Sequence, residues 1–190
     1  MTQSTLWQQL QFQKGYRKDR LEAAQWVLDR PHTFEQLLEY SFRSEDRDSY
    51  KASWVLEFVC LEQLSLLYPK LSYFLEELPS VTLDQSLRPF SHICELLCLA
   101  NYKQKDLALQ AVFTEVHKKQ MATCCFDWLI TPQKVACQVR AMTSLYYLGT
   151  EFKWIHPELA HIVRTKMPTG SAGYKARGKK TLQKIESGKF

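Results

Sequence analysis

Three groups of residues in this chain have types and spacings that could do chemistry. His92, Cys94 and Cys98 are zinc-binding types, and Cys94 and Cys98, four apart, share one face of a helix. His92 lies about 200° around that helix from Cys94 at 3.6 residues per turn, and no second CxxC or HxxxH pair supplies a fourth ligand. The adjacent Cys124 and Cys125 could form a redox pair, but neighbouring helical residues point about 100° apart, so a disulfide between them would strain the backbone. All six cysteines (Cys60, Cys94, Cys98, Cys124, Cys125, Cys137) fall inside apolar helical patterns, as reduced thiols used for packing do. The expectation is no metal, no cofactor and no catalytic residue.

The third group is cationic. Seven of the 25 basic residues lie between Lys166 and Phe190 (Lys166, Lys175, Arg177, Lys179, Lys180, Lys184, Lys189) against Glu186 alone, which leaves 18 basic and 19 acidic residues in 1–165. The net charge of +5 therefore belongs to the C-terminal segment. On a helix, Arg177, Lys180 and Lys184 form one stripe, with Leu182 opposite and Lys175 and Lys179 off it. Such cations hold phosphates or an acidic surface, and Tyr174 could stack on a base. The candidate partner-binding residues are thus Tyr174, Lys175, Arg177, Lys180 and Lys184. The competing reading is a solvated last helix with no partner.

Helices must position these residues, since no segment shows period-two alternation bounded by turn residues. Residues 4–14 read as a short end helix through Leu6, Trp7 and Leu10. Arg17 to Asp29 follows, broken by Pro31, with a partner marked by Phe34, Leu37, Leu38 and Phe42. Asp48 or Ser49 caps a helix with two apolar stripes, Ala52, Val55, Leu56, Val59 and Cys60 on one side and Trp54, Phe58 and Leu61 on the other, so it is buried on two sides. After Tyr68-Pro69, Leu71, Phe74, Leu75 and Leu78 form a helix closed by Pro79. Asp84 or Ser86 opens the next, and residues 106–130 carry two stripes out of register, which predicts a break near Lys118 to Gln120.

Residues 131–168 give the clearest pair. Thr131 as N-cap and Pro132 at the first helical position open a helix that Gly149 ends, with Val135, Val139, Met142 and Tyr146 on one face. Ile155, Leu159, Ile162 and Val163 line the second. A last helix, capped by Ser171, has Ala172, Ala176, Leu182 and Ile185 as apolar positions and is weakened by Gly173 and Gly178.

These pairs repeat weakly. Ala52 in Lys51-Ala52-x-x-Val55-Leu56 precedes Pro69-Lys70-Leu71 by 17 residues, and Ala141 in Arg140-Ala141-x-x-Ser144-Leu145 precedes Pro157-Glu158-Leu159 by 16. Pro31, Pro69 and Pro157 begin second helices at intervals of 38 and 88, the latter two periods of 44. HEAT and armadillo units run roughly 40 to 47 residues. In these motifs the chain resembles the HEAT-like branch of the armadillo-type α-solenoids over about residues 17–187, most clearly at 48–78 and 131–167. It is also similar to small single-domain HEAT-like bacterial proteins without an assigned activity. The resemblance implies an all-α fold, a short right-handed α-solenoid (an α-α superhelix) of about four HEAT-like helix pairs plus end helices. It places this solenoid at 1–170 and a basic capping helix and tail at 171–190. An ordinary helical bundle is the alternative that the same periodicity allows.

Two enzyme resemblances fail on their residues. Met167-Pro168-Thr169-Gly170-Ser171 is similar to the loop of the fumarase and adenylosuccinate lyase superfamily, but in that loop Gly-Ser precedes Met-Pro, and the chain is too short for that domain set. The DNA-glycosylase branch of HEAT-like proteins uses tryptophans and an aspartate in a basic groove. Asp127-Trp128, Trp54 and Trp154 are the right types, but residues 1–165 are charge-balanced.

The expected function is a non-enzymatic interaction module that binds a protein or peptide partner through a solenoid surface. The alternative is nucleic-acid binding through the basic C-terminal segment. No signal pattern opens the chain and no apolar run approaches the roughly 18 residues that span a bilayer, so a cytoplasmic location without membrane contact is expected. Trp54, Leu56, Phe74, Ile93, Leu97, Trp128, Val139, Leu145 and Leu159 are the expected core.

Overall fold

Helix boundaries in this chain fall where a side chain or a proline takes over from the backbone ladder. The computed structural model describes residues 5–43, 45, 46 and 48–188. Among them are eleven α-helices and no strand: α1 (Leu6–Gln9), α2 (Arg17–Leu28), α3 (Phe34–Ser41), α4 (Ser49–Glu62), α5 (Leu71–Glu77), α6 (Asp84–Cys98), α7 (Leu107–Val112), α8 (Glu115–Ile130), α9 (Val135–Leu148), α10 (Ile155–Lys166) and α11 (Ala172–Ser187). No helix among the described residues is long and apolar enough to cross a membrane. Residue 4 of the expected first helix and Lys189 of the basic segment lie outside the described residues.

Proline acts at the predicted places. Pro31 opens a 3-10 turn that leads into α3, Pro69 lies in the 3-10 segment before α5, and Pro79 lies in the 3-10 turn that ends it. Two boundaries differ from the sequence reading. The break in 106–130 falls at Phe113 and Thr114, because the Thr114 side chain accepts from the His117 N–H at 3.3 Å and begins a fresh helix. The change of stripe there is a change of helix. α9 begins at Val135 and not at Pro132, because Thr131 already closes α8: its N–H and its hydroxyl both donate to the Asp127 carbonyl, at 3.0 and 2.6 Å.

The chain forms two compact units, residues 1–93 and 94–190. In the first, α4 packs against α2 and α3, and its Ala52, Val55, Leu56, Val59 and Cys60 are buried as the first stripe requires. Of the second stripe Phe58 is buried but Leu61 is exposed, because α2 and α3 do not cover that end of the helix. Phe42, Phe74 and Phe90 add an aromatic cluster, with Phe42 stacked on Phe90 at 4.6 Å between centroids. Trp54, expected in the core, is only half-buried, because its Nε1 donates to the Gln85 carbonyl at the surface, at 3.1 Å.

In the second unit α9 is the centre, packed against α8, α10 and α11. Cys98 and Met121 meet beneath it at 3.7 Å, and the Cys98 thiol also donates to the Ser144 carbonyl. Leu97, Trp128, Leu145 and Leu159 are buried as expected. Val139 is not: it is half-exposed, on a side of α9 that α11 only partly covers.

Candidate functional site

The face that α11 buries is set by small residues. Ser171 Oγ accepts from the Tyr174 N–H at 3.3 Å and starts the helix. Tyr174, Gly178 and Thr181, at i, i+4 and i+7, then face inward, and a Cβ on residue 178 would lie 2.9 Å from Val163 Cγ1. Gly178, read from the sequence as a weakness, lets α11 lie close to α10. Ala172 and Ala176, read as apolar contacts, are exposed, and Leu182 and Ile185 are half-buried.

This orientation sorts the five candidate residues. Tyr174 is 2% exposed, and burial pushes its hydroxyl up to about 12. Its ring is part of the packing and is not presented for stacking on a base. Lys175 points to solvent. Arg177, Lys180 and Lys184 follow one another along one side, as their spacing requires. Arg177 Nη1 donates to Thr143 Oγ1 at 2.7 Å and lies 3.9 Å from Glu95 Oε1. Burial holds the Glu95 carboxyl above its ordinary range, against the opposing pull of Thr143 and Arg177. Lys184 Nζ lies 5.0 Å from the Tyr146 ring centroid. Lys166, counted with the basic segment, has another role: its Nζ donates to the Leu129 and Ile130 carbonyls at 2.8 and 2.6 Å, capping the C-terminus of α8.

Between α9 and α11 runs an open groove lined by Val135, Ala136, Val139, Gly173, Ala176, Arg177 and Lys180. Val135, at 41%, and Ala176 are exposed in it, and Ala136 and Val139 partly so. Sequence reasoning placed Val139 in the core, with Val135 on the same helix face, and so missed this groove. The available signal was on α11, where the small residues Gly173 and Ala176 share the side of the helix that carries Arg177 and Lys180.

The other chemical candidates are engaged elsewhere. His92 Nδ1 lies 2.7 Å from Glu57 Oε1. Cys94, Cys98, Cys124 and Cys125 are buried free thiols, and burial raises the pKa of Cys94, Cys98 and Cys124, the last to about 12. Among the described residues no group of three or more His, Cys, Asp and Glu side chains is placed to hold a metal ion. Trp128 is buried while its neighbour Asp127 is exposed, so the two do not face one cleft. Trp154 is exposed and stacks on Phe126 at 5.6 Å. No protein-family model, curated protein or solved structure matches the chain.

Proposed function

We propose that the protein is a non-enzymatic interaction module whose α9–α11 groove receives an acidic, partly apolar segment of a partner protein. The observation that carries this reading is the pairing of an exposed valine, Val135, with small residues at 173 and 176 and with the cations Arg177 and Lys180 in one groove. An amphipathic helix or extended segment with apolar anchors and flanking carboxylates complements it in shape and in charge. The cations at 175, 179 and 180 are exposed, so they steer an acidic partner before contact is made.

The architecture that goes with this function is a short right-handed solenoid of HEAT-like pairs. Its support is local: Pro31, Pro69 and Pro157 each stand within three residues of the start of a second helix, before α3 and α5 and in the first turn of α10. Lysine cross-links in a solenoid join neighbouring pairs only, whereas a cross-link from Lys18 in α2 to Lys134 or Lys153 beside α9 would show a closed bundle.

The function is tested with a photo-crosslinking residue at position 135 or 176, and at the exposed position 107 as control, in cells that make the protein. Discrete protein adducts at 135 and 176, absent at 107 and lost when Lys180 and Lys184 are changed to Glu, are the expected result. Nuclease-sensitive adducts would assign the surface to nucleic acid and overturn the reading, as would the absence of any adduct specific to the groove.

A further inference from the structure

Three helices each bring a pair of residues at helical spacing to one place in the first unit: Arg17 and Arg20 from α2, Trp54 and Phe58 from α4 with Glu57 between them, and Arg88 and His92 from α6. Glu57 is buried there. Its Oε2 accepts from Arg88 Nη2 at 3.1 Å, and its Oε1 lies 2.7 Å from His92 Nδ1. A carboxylate only accepts, so His92 carries its proton on Nδ1 and keeps Nε2 as its remaining polar atom.

The arginines of α2 lie over aromatic rings. The Arg20 guanidinium carbon lies 5.1 Å from the Trp54 centroid and 5.5 Å from that of Phe58, and that of Arg17 lies 5.5 Å from Phe58. Arg20 Nε is shut off from solvent and finds no hydrogen-bond partner. Burial, then the charge of Arg88, lowers the proton affinity of Arg20. Glu57 offsets this and Arg17 adds to it, which shows how closely the three guanidinium groups share one field.

A helix-to-helix ion pair needs one arginine for Glu57. Beside this ion pair Arg17 and Arg20 add two more positive charges, and the three guanidinium groups repel one another. A dianion removes that repulsion. The planar fork of a guanidinium matches two oxygens of a phosphoryl group, and contact with the Trp54 and Phe58 rings restricts where the Arg20 guanidinium can go before a ligand arrives.

We propose that Arg17, Arg20 and Arg88 form a site for the phosphoryl group of a small phosphate monoester or diphosphate, beside the Glu57–His92 pair. The site is independent of the α9–α11 groove. It is tested by calorimetric titration of the whole protein with inorganic phosphate, inorganic pyrophosphate and glycerol phosphate at constant ionic strength, with acetate as the monoanionic control. Saturable one-site binding of at least one phosphate probe, with none of acetate, is expected, and the preferred probe separates free phosphate from an ester. Arg17→Gln, at an exposed position that leaves the fold intact, and Arg20→Lys, which keeps the charge but removes the fork, each weaken binding by about tenfold or more. Lys180→Gln on α11 leaves it unchanged. Absence of saturable binding by all three phosphates, wild-type affinity in both arginine variants, or loss of binding in Lys180→Gln would each overturn the assignment.

Discussion

Gly178 of α11 and Val163 of α10 approach so closely that a methyl group on residue 178 would sit 2.9 Å from Val163 Cγ1. At Gly173, one turn earlier and on the open side, the nearest atom to such a methyl is Val135 Cγ2 at 3.3 Å. The two glycines of one helix therefore answer differently to the same change. Alanine gains about 1 kcal/mol of helix propensity at either place, but at 178 overpacking costs about 1 to 3 kcal/mol. Gly173→Ala is expected to be neutral or stabilising, and Gly178→Ala to lower stability by up to about 2 kcal/mol, the overpacking less the propensity gained. Urea denaturation of the two variants decides it, and equal midpoints would mean that α11 does not pack on α10 as described.

Lys166 donates to two carbonyls at the end of α8, from 36 and 37 residues away in sequence. Lys166→Met keeps most of the aliphatic stem and removes the charged donor, which is expected to cost about 1 to 2 kcal/mol. Hydrogen exchange locates the effect: the amides of Trp128 to Thr131 should exchange faster in the variant, and unchanged protection there would rule out the capping role.

The six free thiols are all buried, and burial raises the pKa of Cys60, Cys94, Cys98 and Cys124. Little thiolate is available to a thiol reagent at pH 8 while the protein is folded. Native protein should resist alkylation and yield six modified cysteines only in denaturant. Rapid modification of even one thiol in the native state would contradict this packing.

Glu151 accepts from Lys118 Nζ at 2.8 and 3.1 Å and from the Tyr102 hydroxyl at 2.8 Å. Burial by itself would raise its carboxyl, but these hydrogen bonds outweigh it and hold the group below its ordinary 4.5. A depressed carboxylate adds stability that is complete above the unfolded value and is lost as pH falls through the folded one. Wild-type protein should therefore lose stability below about pH 5 more steeply than Glu151→Gln, as read by thermal melts across that range. Parallel curves for the two proteins would show that the contact has no weight in solution.

The sequence by itself determined the helices. Apolar spacing, Pro31, Pro69 and Pro79, and the cap at Ser171 act within a turn or two, and they located α2 to α5, α10 and α11 to within a few residues. Where a residue had two local uses, the sequence could not rank them. Thr131 can cap a helix that follows or close one that precedes, and the Asp127 carbonyl claimed it for the second. The three-cation stripe on α11 was likewise legible, because Arg177, Lys180 and Lys184 share a side through helix geometry alone.

Which side of each helix meets a neighbour was decided only by tertiary structure. Periodicity treats Val139 and Leu145 of α9 alike, yet Leu145 lies in the core and Val139 beside an open groove, because α11 covers one part of that helix and not the other. Tyr174 is drawn inward by the close approach at Gly178, and Lys166 is drawn to the carbonyls of another helix. Arg17, Arg20 and Arg88 come from helices about 70 residues apart in the chain, and no local rule of spacing records that these helices meet. Local pattern fixes direction around one helix axis, but contact between axes depends on how close the side chains of both allow them to come.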